Sequence, residues 1–159
     1  MSVTESIPHK RYPAKLLLAG EYAVLGGGSA LGLPYPGFWA NWAWQEGPDE
    51  SLMAFHQYLA QPGPLHDQLD LHRLESDLSA GLYLQSNIPV SSGLGSSGSV
   101  VAAVWDRYGG HAGEYPQTLK SLFAAMESHF HGNSSGLDPL IIYLNRPVVS
   151  RHTTLIMPD

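Results

Sequence analysis

Two patterns of apolar side chains alternate along the chain. Short apolar runs predict strands, and apolar residues three or four positions apart predict helices. Short apolar runs at 15–20 and 22–25, closed by glycines at 26–28, predict two paired strands at the centre of a sheet. The run 38–44 carries aromatic residues on both alternating faces, which predicts a largely buried strand with its three tryptophans in the core. A further apolar run at 81–86 predicts a strand that leads into a Gly/Ser segment.

Apolar residues three or four positions apart predict helices between and after those strands. Leucines and a phenylalanine at 52, 55 and 59 predict a helix over 49–59, which the Pro-Gly-Pro at 62–64 ends. Leucines at 71, 74 and 78 predict a second helix. Valines from position 100 onward form one face of a third helix, which ends at Gly109.

A fourth helix is predicted from near Pro116 to about His131, and Glu127 lies at the edge of its apolar stripe. The stripe consists of Leu119, Leu122, Phe123, Met126 and Phe130. Short strands are predicted at 147–150 and 153–157. This order of elements predicts an α+β fold in which a mixed sheet is packed with helices.

The Gly/Ser segment between the strand at 81–86 and the third helix has the composition of an anion-binding loop. Glycine lacks the Cβ that would keep a ligand from the backbone, and the first N–H groups of the following helix face whatever lies there. Serine hydroxyls can donate to phosphate oxygens or bind Mg²⁺, which prefers oxygen ligands. The residues predicted to hold a nucleotide–metal complex are Pro89, Ser91, Ser92, Gly93, Leu94, Gly95, Ser96, Ser97 and Gly98.

Other interpretations of this loop stay open at the level of sequence. A Gly/Ser segment can simply join a strand to a helix. The segment also matches the G-x-G-x-x-G of dinucleotide-binding folds, but the four residues Pro-Val-Ser-Ser at 89–92 come between the strand and the first glycine, and the acidic residue Glu114 comes too early. The Gly-Lys-Ser/Thr of a Walker motif is absent from the sequence.

A second Gly/Ser turn at 132–136 precedes the start of another apolar helix. Asp138 followed by Pro139 predicts that the aspartate is the N-cap of that helix, with the proline at the first helical position.

Composition narrows the class of ligand. The net charge of −6, with only 8 lysines and arginines in 159 residues, argues against nucleic acid or an anionic membrane as partner and favours a small molecule. No apolar run approaches the roughly 20 residues that span a bilayer, and the first residues do not form a signal pattern, so a cytoplasmic location is expected.

Three segments, in this order, resemble the GHMP kinase superfamily, and within it the mevalonate kinases. The first is Pro-Ala-Lys-Leu-Leu-Leu-Ala-Gly-Glu-Tyr at 13–22, the second is the loop with Gly-Leu-Gly-Ser-Ser at 93–97, and the third is His-Gly-Asn-Ser-Ser-Gly-Leu-Asp at 131–138. Together they span 13–147, most of the chain. The resemblance implies a ribosomal-protein-like α+β domain, the GHMP kinase N-terminal domain, over residues 1–159.

The resemblance also implies roles for individual residues. Ser97 and Glu127 correspond to Mg²⁺ ligands, and Asp138 to the catalytic base that accepts the proton of the substrate hydroxyl. Lys15 is expected beside that aspartate, where it keeps the carboxylate ionised and helps to neutralise the transferred phosphoryl group. The substrate-binding residues implied are Glu21, Tyr22 and His131.

The implied activity is an ATP- and Mg²⁺-dependent kinase that phosphorylates mevalonate to 5-phosphomevalonate in isoprenoid biosynthesis. Tyr22 replaces a histidine common in mevalonate kinases and is similar to phosphomevalonate kinases, while Ser134 stands where proline is usual. A phosphomevalonate or other small-alcohol kinase, and a nucleotide-binding module without activity, are therefore the alternatives. The C-terminal GHMP domain is expected to be absent, which would leave a face for homo-oligomer formation.

The residues alone permit simpler roles for the same side chains. Asp138 could be only a helix cap, Glu127 a solvated charge and Lys15 a surface lysine. Glu127, His129 and His131 could bind a transition metal, although the sequence offers no further cluster to complete such a site.

Overall fold

A computed structural model describes residues 7, 9–20, 28–110 and 115–159. The predicted strand at 22–25, with Glu21 and Tyr22, lies outside the described residues. Across the described ranges, no helix combines the length and apolar character needed to cross a membrane.

In the described part of the chain, five strands form one sheet: β1 (Tyr12–Ala19), β2 (Ala30–Trp44), β3 (Leu82–Ser86), β4 (Val148–Arg151) and β5 (Thr154–Ile156). β1 pairs along one edge of β2, while β3 and β4 pair with opposite ends of its other edge, and β5 pairs with β4. Each of these pairs is antiparallel. The sheet in the described part of the chain is therefore antiparallel rather than mixed.

Two expectations about the strands were wrong in detail. Within the described residues β1 lies at an edge of the sheet, not at its centre. The predicted strand at 38–44 is only the second half of the 15-residue β2, and its tryptophans do not share one environment. Trp42 is buried, Trp39 on the opposite face of β2 is partly buried, and Trp44, on the same face as Trp42 but at the last position of the strand, is 36% exposed.

The described ranges contain five α-helices that accompany the sheet: α1 (Glu50–Leu59), α2 (Leu71–Ser79), α3 (Ser96–Tyr108), α4 (Pro116–His131) and α5 (Leu137–Leu144). A short 3₁₀ helix, His66–Gln68, precedes α2. Asp49 and Asp70 cap α1 and α2 by accepting bonds from the N–H groups of Leu52 (2.9 Å) and Arg73 (3.0 Å). The predicted helices are present, since both the caps and the apolar spacing are local signals.

Among the residues that the structure describes, the helices pack on the sheet around one large cluster of buried apolar residues, and a small second cluster holds Ala14, Ala40 and Ile88. α3 lies at its centre, with Val101, Val104 and the residues between them fully buried. The stripe on α4 is correct for Leu119, Phe123 and Met126, but Leu122 is only partly buried and Phe130 is 37% exposed. Glu127 takes the inward position instead, so its carboxylate is buried near the C-terminal end of α4.

Candidate active site

The loop between β3 and α3 is held against strand β1. The Lys15 N–H donates to the Leu94 carbonyl at 2.9 Å, which ties the loop to β1. Ser92 Oγ donates to the Pro89 carbonyl at 2.6 Å and accepts from the Leu94 N–H at 3.3 Å. Ser92 therefore shapes the loop from inside, a role that the sequence did not distinguish from ligand binding.

The loop delivers the chain into α3 through Gly95, which is the N-cap of that helix in a left-handed conformation with φ of 89°. Glycine provides no side chain to cap the helix, so the first N–H groups of α3 keep their capacity to bind an acceptor from outside. The partial positive charge of a helix N-terminus favours an anion at that point. The geometry agrees with the predicted phosphate loop.

Gly95→Ala should destabilise the protein and displace Lys15. A Cβ at position 95 would lie 2.8 Å from Cγ of Lys15 and 3.1 Å from Cδ1 of Ile142, and the backbone conformation is itself unfavourable for alanine. We expect a loss of about 2–3 kcal/mol in the free energy of unfolding, measured by urea denaturation.

Gly47→Ala is the matched control for that substitution, because Gly47 has φ of 79° with nothing within 4 Å of its Cβ position. It should show the backbone cost alone, about 1 kcal/mol. Equal losses in the two variants would show that position 95 has no steric contact with Lys15.

Lys15 and Asp138 form an ion pair at the mouth of the loop. Nζ of Lys15 lies 2.9 Å from Oδ2 of Asp138, and the two side chains are 3% and 29% exposed. The surface-lysine interpretation of Lys15 is therefore wrong, because its stem passes through the core below Gly95. The proximity expected between this lysine and this aspartate is present.

Asp138 is not the N-cap of α5, contrary to the sequence prediction. The cap is Gly136 in a left-handed conformation, the helix begins at Leu137, and Asp138 occupies its second position. Pro139 is then the third helical residue, still within the turn where a missing N–H breaks no helical bond. The Asp138 carboxylate is thereby directed to Lys15 instead of to its own backbone.

Gly98 brings the phosphate-loop helix and the aspartate-bearing helix together. A Cβ on Gly98 would lie 3.2 Å from Cβ of Asp138 and 3.1 Å from the Pro139 nitrogen. A larger residue would separate α3 from α5, so glycine is required here for close approach. The loop, Lys15 and Asp138 consequently share one small region.

Glu127 completes this region from α4. Its side chain is buried, with Oε2 3.4 Å from Ser97 Oγ and Oε1 2.7 Å from Ser134 Oγ. Burial raises the pKa of Glu127 to about 7, while the bond from Ser134 opposes that shift and the nearby charge of Asp138 adds to it. The interpretation of Glu127 as a solvated helix-edge charge is wrong, since the carboxylate points inward at Ser97.

Glu127→Gln should remove a pH dependence of stability. The pKa of Glu127 is higher in the folded chain, about 7, than the ordinary value of 4.5, so the folded state holds this proton more tightly than the unfolded state. The stability it contributes is complete below pH 4.5 and is lost as the pH rises to about 7, an effect of about 2–3 kcal/mol. The measurement is urea denaturation without Mg²⁺ at several pH values from 5 to 8.

Glutamine cannot ionise, so the variant should lose less stability than the unsubstituted chain over this range. Glu75→Gln, an exposed position on α2, is the control and should leave the pH profile unchanged. Parallel profiles for the Glu127 variant and the unsubstituted chain would show that the carboxylate does not carry a raised pKa.

His131 lies close to the predicted metal ligand. Its Nε2 is 2.8 Å from Oγ of Ser97, so the exposed imidazole covers the serine from outside. His129, two residues earlier, instead packs on the rings of Phe55 and Tyr58, with centroids 5.4 and 5.0 Å away. No group of three or more potential metal-binding His, Cys, Asp or Glu side chains occurs in the described ranges, which removes support for the transition-metal interpretation.

The donor set suits a hard cation. Ser97 contributes a hydroxyl and Glu127 a carboxylate, and both are the oxygen ligands that Mg²⁺ prefers. A buried carboxylate whose burial raises its pKa gains stability when a cation arrives beside it. The residues present therefore fit a bound Mg²⁺.

A separate cavity of about 410 Å³ is lined by His9, Arg11, Trp39, Asn41 and Gln85. None of the predicted site residues lines it. The predicted site lies elsewhere, where β1, the predicted phosphate loop and the facing ends of α4 and α5 meet.

Sequence reasoning missed the contribution of Ser134 to this region. The only signal for it was the serine at a position where the resembled kinases carry proline.

The family model of the GHMP kinases N-terminal domain matches residues 54–146, more than half of the chain. That range contains the phosphate loop, Glu127 and Asp138. No curated protein matches the chain by sequence.

Solved mevalonate kinase structures share the fold. The Staphylococcus aureus enzyme is 20% identical with a TM-score of 0.56 and is matched over 94% of this chain and 54% of its own. The Methanococcus jannaschii enzyme is 17% identical with a TM-score of 0.57, over 98% and 57%. The L. major enzyme, solved with R-mevalonate, is 17% identical with a TM-score of 0.59, over 98% and 53%. The chain thus spans about half the length of the structures it matches.

Proposed function

Because this chain belongs to the GHMP kinase family, we propose that it transfers the terminal phosphoryl group of ATP to the hydroxyl of a small alcohol, with mevalonate as the acceptor. The observation that carries the proposal is the ion pair of the buried Lys15 with Asp138, beside the N-terminus of α3. A structural ion pair alone would not require an adjacent anion-binding loop. Phosphoryl transfer requires both, since it depends on alignment and on charge placed where negative charge develops.

Asp138 is the residue proposed to act on the acceptor. Its carboxylate is partly exposed, within the first turn of α5 and 2.9 Å from the Lys15 ammonium, and both features favour the ionised form. An ionised carboxylate can accept a hydrogen bond from the attacking hydroxyl, orient its oxygen and take its proton as the bond to phosphorus forms. Lys15 fixes that carboxylate and places positive charge beside the reacting groups.

The loop and α3 are proposed to bind the phosphates of ATP. Backbone N–H groups at the start of α3 would donate to phosphate oxygens, with the serine hydroxyls of the loop adding further donors. Ser97 and Glu127 would hold Mg²⁺, which supplies positive charge across the phosphates when bound.

The proposal of mevalonate as the acceptor is based on the third motif and on the fold. The His-Gly-Asn turn with Asp138 resembles the mevalonate kinases, and the structures described above are mevalonate kinases. Tyr22 favours a phosphorylated relative of mevalonate as the alternative acceptor. Glu21, Tyr22 and His131 stay as predicted substrate-binding residues.

The proposal is tested by ³¹P NMR of the 159-residue chain with Mg-ATP and mevalonate. A phosphomonoester signal that depends on mevalonate, together with ADP, is the expected result. A new phosphomonoester signal only with another alcohol, or diphosphate-ester signals with ADP only with phosphomevalonate, would change the acceptor but keep phosphoryl transfer from ATP. ATP resonances that shift on binding without any product would favour the nucleotide-binding module instead.

A further inference from the structure

Ser134 connects Glu127, the predicted metal ligand, to the start of α5. Its Oγ donates to Oε1 of Glu127 at 2.7 Å and accepts from the Gly136 N–H at 3.0 Å. Gly136 is the N-cap of α5, two residues before Asp138. One partly buried hydroxyl thus links the carboxylate predicted to bind Mg²⁺ to the helix that carries the predicted base.

The two bonds together fix the direction of the Ser134 hydroxyl. A hydroxyl has a single hydrogen, and with the Gly136 N–H already donating to its oxygen that hydrogen is directed at Glu127. One carboxylate oxygen of Glu127 is therefore occupied by Ser134, while Oε2 is the oxygen that faces Ser97. This arrangement leaves one defined oxygen for a cation shared with Ser97.

Other side chains of the turn do not replace this bond. Ser135 Oγ accepts from the Leu137 N–H at 3.2 Å and so belongs to the start of α5. His131 contacts Ser97, not Glu127. Proline, the usual residue at position 134 in the resembled kinases, has no hydroxyl and cannot make either bond. The link is a feature of this chain.

We propose that Ser134 is a positioning residue that holds Glu127 with one oxygen directed at the metal position, and so sets the affinity of the site for a divalent cation bound with ATP. The inference rests on the proposed function, since it concerns the same site. Partners that orient a metal-binding side chain typically contribute 10–100-fold to metal affinity. We expect about a tenfold effect from Ser134, because Ser97 remains in place.

The experiment uses Mn²⁺ as the cation and AMPPNP as a nucleotide that is not hydrolysed. Mn²⁺ is titrated into the full chain with AMPPNP, and formation of the ternary complex is followed by the relaxation rate of water protons. AMPPNP affinity is measured separately in EDTA. Ser134→Ala should weaken Mn²⁺ binding about tenfold and leave the AMPPNP affinity in EDTA unchanged, whereas a merely structural role would weaken both.

Three further variants make the result decisive. Ser134→Thr keeps the hydroxyl and should bind Mn²⁺ within about twofold of the unsubstituted chain. Ser134→Cys keeps the volume with a weak donor, so it replaces the alanine variant if that variant does not fold. Ser128→Ala removes a hydroxyl bond within α4, from Ser128 to the Ala124 carbonyl, and should have no effect on Mn²⁺ binding.

The outcomes separate the inference from the proposed function. Unchanged Mn²⁺ binding in both the alanine and the cysteine variants, with a normal complex in the unsubstituted chain, would overturn the role of Ser134 and leave the kinase proposal intact. Failure of the unsubstituted chain to form any Mn²⁺–AMPPNP complex would overturn the proposed function itself.

Discussion

Asp138→Asn should lower the rate of phosphoryl transfer about 10³-fold while Mg-ATP binding is retained. An amide has nearly the shape of the carboxylate but cannot take the proton of the acceptor hydroxyl, and base catalysis contributes typically 10²–10⁴-fold. The predicted phosphate loop precedes α3, and the bonds that hold it, from the Lys15 N–H to the Leu94 carbonyl and from Ser92 Oγ to the Pro89 carbonyl, do not involve the Asp138 side chain. The measurements are single-turnover transfer from Mg-ATP and calorimetric titration of AMPPNP with Mg²⁺.

Asp67→Asn is the control for that substitution, since the Asp67 side chain is 88% exposed in the 3₁₀ helix. It should transfer phosphate at the unsubstituted rate. A folded Asp138→Asn chain that is equally active would remove Asp138 from the role of base. A chain that loses Mg-ATP binding as well would place Asp138 in nucleotide binding.

Lys15→Met should lower the transfer rate about 10²–10³-fold, the loss typical when one charge that stabilises a transition state is removed. It should also destabilise the chain less than Asp138→Asn does. Methionine is apolar and similar in length to the buried lysine stem, and Asp138 is 29% exposed, so water can solvate the remaining carboxylate. We expect a loss of about 1 kcal/mol in the free energy of unfolding.

Asp138→Asn leaves the opposite partner, a lysine only 3% exposed, without its carboxylate. That loss should be larger, about 3 kcal/mol, because an uncompensated buried charge is costly. The double variant with Lys15→Met and Asp138→Asn should recover most of it. Urea denaturation of the two single variants and the double variant checks the order. If Lys15→Met is the less stable of the single variants, Lys15 is not the more deeply buried partner of the ion pair.

Local signals in the sequence predicted most of the helices. α4 runs from Pro116 to His131, as expected. The proline in its first turn and the glycine after its last residue are both local signals. The caps of α1 and α2 are likewise local, since each aspartate bonds a backbone group three residues ahead. The expected α+β fold is confirmed by the sheet and the helices together.

Predictions that depended on the partner of a residue were less accurate. Periodicity placed Phe130 inward and Glu127 at the edge of α4, but the neighbouring serines accommodate the carboxylate and leave Phe130 partly exposed. Asp138 before proline has the pattern of a cap, yet a glycine in the left-handed conformation takes that position. Pattern alone cannot show which competing group a neighbouring helix will place nearby.

The sequence by itself determined the helices, the existence of a glycine-rich loop before α3, and a resemblance that selected Lys15, Ser97, Glu127 and Asp138. Only the tertiary structure decided that Lys15 is buried against Asp138, that Glu127 ionises with a raised pKa, and that Ser134 links the two sides of the site. The physical reason is distance along the chain. Caps, turns and periodic faces act over a few residues, whereas burial and the bonds of a carboxylate depend on atoms that packing brings together from remote segments.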